Sequence, residues 1–195
     1  MFFIDKILTL HSFLNKNSLI FKINVTIHMQ AIEIRLTDKL ERLPDTARVW
    51  IYQSTRPFSE MEITVMKSQI NAFVSDWTAH SHQLAAAGDV LFERFIVLAV
   101  DENQAGASGC SIDKSVNFIK GIENQYVTQL FERMNFAFLE DGDVSVVSSA
   151  EFSRLYTEGV LSENTLVFDN LVQSIGAMKS QWIKPVKSSW HKRFV

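Results

Sequence analysis

A chain of 195 residues is long enough to bury one sizeable hydrophobic core. With 47% hydrophobic and 21% charged residues it excludes wholesale disorder, and its formal charge of -3 excludes a general field for nucleic acid. A single cysteine, Cys110, excludes an intramolecular disulfide and a cysteine-based zinc site, and makes a reducing cytoplasm the natural compartment.

The first 28 residues differ from the rest. Met1–His28 contains no Ala, Gly, Pro, Glu, Gln or Arg and is dominated by Phe, Ile, Leu, Lys and Asn, residues whose codons are rich in A and T. Residues 1–28 therefore read as a non-native or disordered N-terminal extension, with translation starting at Met29 and residues 29–195 forming a single domain. Asp5, Lys6, Asn15, Lys16, Asn17 and Lys22 interrupt the apolar run. It falls short of the roughly 20 residues that a membrane span needs.

After Met29, strand and helix signals alternate. Arg48–Gln53 is β-branched and aromatic and reads as a strand. Pro57 and the box Ser59-x-x-Glu62 announce a helix, whose stripe Ile63, Met66, Ile70, Phe73 and Trp77 predicts an end near His80. Residues 81–90 read as a connection and Phe92–Val100 as a central strand. A second helix follows with the stripe Ile112, Val116, Ile119 and Ile122.

Asp141-Gly142, flanked by Met134–Glu140 and Val144–Val147, signals a hairpin. Ser148-x-x-Glu151 opens a short helix closing near Gly159. Thr165–Phe168 reads as a strand, Val172–Trp182 as weakly helical, and the aromatic tail as a segment that docks on the body. The class is α+β, one mixed-sheet domain with alternating strands and helices plus a β-hairpin.

The chemistry candidates gather after the central strand. Cys110 falls at the start of the second helix, where unpaired amides and the macrodipole favour negative charge. Gly106 and Gly109 would let the loop approach a ligand, Ser108 and Ser111 add hydroxyls, and Asp113 opposes a thiolate. The plain alternative is a packed or capping cysteine. His80 is the candidate base for Cys110, although histidine at a helix C-terminus also has a dipole reason to be there. Asp101 stands at the end of the central strand and Arg56 after the first, and both are expected neighbours of the loop. No metal site is expected.

These residues suggest small-molecule or anion binding at 106–113. In an enzyme Cys110 would be nucleophile, His80 base and the loop amides oxyanion donors. The alternative is a non-catalytic protein-interaction or adaptor protein. The sequence leaves cofactors, ligand and oligomeric state open. It carries no nucleic-acid signal beyond the short basic run His191-Lys192-Arg193.

The strings WTAHSHQL, FIVLAVDE, ASGCSIDKSV, TLVFDNLV and SSWHKRF resemble a bacterial family labelled "ABC transporter ATPase", from about residue 30 onward. The label implies ATP hydrolysis. That activity needs G-x-x-x-x-G-K-[ST] to cradle phosphates, and Gly106–Ser115 fails its spacing. An LSGGQ-type signature is also absent. Ser149–Phe168 is similar to the helix-then-strand half of GYF-type peptide-binding modules, without their Gly-Tyr-Phe.

Overall fold

The computed structural model describes residues 25–28, 31–34, 36–103 and 105–195. The extension expected over 1–28 thus lies outside the described residues except for its last four. Those four form β1 (Val25–His28), paired antiparallel with β2 (Ala31–Ile34), so the pairing straddles the expected start at Met29. A single turn, α1 (Asp38–Glu41), buries Leu40.

β3 (Arg48–Gln53) and α2 (Glu60–Asp76) follow as the sequence predicts. The Ser59 hydroxyl accepts from the Glu62 amide and the Glu62 carboxylate accepts from the Ser59 amide, which completes the capping box. Met66 and Ile70 are buried on the inner face, with Ile63 and Phe73 packed beside them.

The expected helix end near His80 is corrected. The helix stops at Asp76, and β4 (Thr78–Ala79) and β5 (His82–Gln83) form a small hairpin around His80 and Ser81. Both turn residues have positive φ (49° and 66°), the handedness that matches strand twist in a two-residue turn. The expected connection 81–90 is in fact largely β6 (Ala85–Leu91). β7 (Phe95–Asp101) starts later than expected because Phe92 and Glu93, at φ 49° and 56°, make the turn that joins it to β6.

α3 (Gly109–Gln125) has Ser108 as its N-cap. The inner face of its first half is Ser111 and Ser115, not Ile112 and Val116. The cause is the bulk it meets. Trp77 donates its indole N–H to the Ser111 carbonyl at 2.8 Å, and the Tyr52 hydroxyl lies toward Ser115. Serines admit the rings where isoleucine or valine would be too large.

The second half of the chain holds β8 (Asn135–Glu140), β9 (Asp143–Ser148), α4 (Ser149–Thr157), β10 (Leu166–Phe168), α5 (Ile175–Gln181) and β11 (Ile183–Pro185). Asp141-Gly142 forms the β8–β9 turn with positive φ at both residues, and Gly159 ends α4 at φ +76°. Two short 3-10 helices, Val186–Ser188 and Trp190–Phe194, close the chain.

Every described strand pairing is antiparallel, and the fold is α+β. The strands form two larger sheets, β3-β7-β6 and β11-β10-β8-β9, and two small hairpins. Alternation along β7 builds two cores. Ile96, Leu98 and Val100 pack with residues of α2 and α3, while Phe95, Val97 and Ala99 pack with Trp182, Phe168 and residues of α5. A third core lies on the other face of the second sheet, where Phe136, Phe138 and Val167 meet Phe152 and the aromatic tail.

Candidate functional site

α3 joins two ends of the molecule. At 1.5 Å per residue its length sets the two ends about 24 Å apart.

At its N-terminal end, β7 delivers the loop that carries most of the candidate residues. The Asp101 carboxylate accepts from the Asn103 amide and side chain, at 3.0 and 2.7 Å, and shapes the loop entry. Glu102 accepts from the Ala107 amide at 3.1 Å, with Arg48 at 3.7 Å. Ser108 caps the helix by accepting from the Ser111 amide at 3.3 Å, and the buried Ser111 donates to the Ser108 carbonyl at 2.8 Å. Cys110 is exposed in the first turn, so the packed-cysteine alternative does not describe it.

Gly106 and Gly109 have nothing within 4 Å of an added Cβ, and Asp113 is exposed. His80 is exposed in the β4–β5 turn, which sits beside the start of α3 through the Trp77–Ser111 bond. Ala85, the first residue of β6, is level with Asp101, so His80, Asp101 and the loop share one end of the central sheet. Among the described residues no hydrogen bond or ion pair joins Cys110 to His80, Asp101 or Asp113. The Glu102 carboxylate already occupies the loop, an arrangement that disfavours a second anion. Lys114 reaches Thr78 at 3.5 Å rather than turning toward the loop.

Arg56 does not join this group. Its guanidinium donates to the Tyr126 carbonyl at 2.6 Å, at the far end of α3. It also grips Glu62 in a bidentate pair, at 3.0 and 2.6 Å, and reaches the Pro57 carbonyl. The Arg56 hydrogen bonds and the Ser59 amide hold the Glu62 carboxyl down at about 2. The cation expected to meet an anionic ligand thus ties the start of α2 to the end of α3 instead.

That far end carries features that the sequence reading missed. An open cleft of about 710 Å³ is lined by Thr55, Glu123, Asn124, Val127, Thr128 and Gln129. A second, of about 350 Å³, lies between Met61, Val65, Gln125 and Tyr126. Of eight exposed large hydrophobic residues among the described ones, Met61, Val65 and Val127 line these clefts, and Phe131 and Met134 follow Val127 along the chain.

Val127 is 86% exposed at φ 48°, a conformation that crowds a β-branched side chain. It lies immediately after the α3 C-cap, where the Thr128 amide returns to the Glu123 carbonyl at 3.2 Å, closing the helix in the way that usually calls for glycine. Met61 and Val65 are spaced i, i+4 off the inner stripe of α2, a signal that was present in the sequence. No sequence signal marks the backbone of Val127.

Among the described residues no three His, Cys, Asp or Glu side chains converge as metal ligands, and no helix is long and apolar enough to cross a membrane. No protein-family model, curated protein or solved structure matches the chain.

Proposed function

We propose that this chain is a non-catalytic interaction protein, with a partner-binding surface where the start of α2 meets the end of α3. The observation that carries this reading is Val127, an apolar, β-branched residue held exposed in a left-handed conformation that glycine would adopt without strain. Strain and exposed apolar surface both work against the isolated fold, and they coincide at Val127, which lines one cleft near a second lined by Met61 and Val65. The clefts are open to solvent, a shape suited to a protein side chain more than to an enclosed small ligand. A protein partner fits the net charge of -3 better than nucleic acid does.

The test is a photo-crosslinking residue placed at position 127 in the native host, with position 163 as the control. A discrete adduct formed from 127 alone, and suppressed by Met61→Asp, supports the reading. Equal adducts from both positions, or none, overturn it.

A second reading is favoured by the exposure of Cys110 beneath the Ser108 cap. It keeps residues 106–113 as a ligand loop, with Cys110 as nucleophile and His80 as base, in a reducing cytoplasm. Alkylation of the native protein across pH, followed by intact mass, tests it. A midpoint well below the roughly 8.5 of a free thiol supports an activated cysteine, and a midpoint at that value sinks the nucleophile. The resemblance to an ATPase-labelled family adds no activity to either reading, because the loop after β7 lacks the phosphate-cradling spacing.

A further inference from the structure

The edges of the two larger sheets are unequal. The outer edge of β3 is covered, since the Val49 amide donates to the Gln173 carbonyl and Arg48 bridges Ser174. The edge strand β6 carries a buried acid, Asp89, with Lys67 at 3.0 Å, a device that discourages a foreign strand. β11 is three residues long and ends in Pro185. β9 has none of these protections. It is six residues long, has no proline, lysine or bulge, and pairs only with β8 among the described residues.

We propose that two copies of the chain pair antiparallel through β9, joining their four-stranded sheets into one continuous sheet. The two-residue turn Asp141-Gly142 closes on the hydrogen-bonded pair Glu140 and Asp143. Alternation from that pair turns the N–H and C=O groups of Val144 and Val146 away from β8. Neither residue makes a backbone bond outside the hairpin among the described residues. Both side chains pack against the central core and are only half-buried, so a strand laid beside them completes their cover.

A second copy suits this edge for two reasons. A two-fold axis through Ser145 sets Val144 of each copy against Val146 of the other, which matches apolar to apolar on one face. Charge selects the direction. Glu140, Asp141 and Asp143 cluster at one end of the strand, and a parallel partner would stack acid on acid. The antiparallel register separates each Asp143 from its copy by four residues, about 14 Å. That distance exceeds the screening length of roughly 8 Å. Among the described residues of the two larger sheets, the pairing consumes the one edge without such a protection, and its two-fold symmetry closes as a dimer.

The test is the mass of the full chain by light scattering, over a concentration series reaching the sub-millimolar range. The wild-type chain is expected to reach dimer mass. Ser145→Lys and Ser145→Glu, each folded by circular dichroism, should each be monomeric where wild type is dimeric, because like charges meet at the axis. Mixing the two variants should restore dimer mass. A wild-type chain that stays monomeric overturns the proposal, whether β9 stays free or takes a strand from elsewhere. So does a dimer indifferent to both substitutions, or a mixture that does not recombine.

Discussion

Valine is a costly choice at position 127. A residue just after a helix cap must take a left-handed backbone there, and the Cβ branches of valine crowd the neighbouring peptide. At Asp141-Gly142 and at Gly159 the chain meets the same demand with suited residues, whereas Phe92 and Glu93 meet it in the β6–β7 turn with side chains that do not favour it. Val127→Gly should therefore raise stability by about 1 kcal/mol, read as a higher urea midpoint with an unchanged slope. The same substitution should reduce partner capture in a pull-down from the native host. At this scale the sequence was only partly legible. The cap residues Ser59, Ser108 and Ser148 announced themselves because a hydroxyl before a helix has one main use. Arg56 has a partner within sequence reach, Glu62 six residues on, but the Tyr126 carbonyl reaches it only through the packing of α3 beside α2, which the sequence does not display.

Elements were legible where local chemistry decides and illegible where packing decides. The hairpin at Asp141-Gly142 and the start of α2 follow from turn and cap residues alone. β6 has no such signal. Its first residues are alanines with weak strand preference, followed by Gly88, and they form a strand because β7 supplies the ladder and α2 the cover. A Cβ at Gly88 would stand 2.7 Å from Ile70 and 2.9 Å from Leu98, with the Val97 carbonyl at 3.0 Å. Gly88→Ala should cost about 1 to 3 kcal/mol through overpacking, measured as a lowered denaturation midpoint. Ile70→Ala removes the clashing Cγ2 methyl, so the double variant should lose less than the sum of the two single losses. The turns at His80-Ser81 and Phe92-Glu93 carry no glycine or asparagine, so no residue in them marks positive φ strongly. Helical spacing therefore places His80 at a helix end, where the structure makes it a hairpin tip.

Across the whole molecule, three cores share two sheets, and a histidine closes the third. His191 is buried between Phe136, Phe152 and Trp190, and its Nδ1 pairs with the Ser189 hydroxyl at 2.7 Å. Burial pushes the imidazole down to about 4, while Asp169 pulls upward and Lys184 downward. The unfolded chain binds a proton near 6.5, so stability is intact above that pH and is lost as pH falls toward 4. The loss attributable to this group should total about 3 kcal/mol. Urea titrations between pH 7.5 and 4 check it, and a His191→Gln variant should show a correspondingly shallower decline. The buried face of the tail was legible in its aromatic residues, whereas its histidine could be placed only by the fold. β7 has a consequence of another kind. Phe95–Val100 are buried on both faces and flanked by a strand on either side. Their amide hydrogens reach deuterated solvent only when the entire molecule opens, so a single strand serves as the gauge of its global stability.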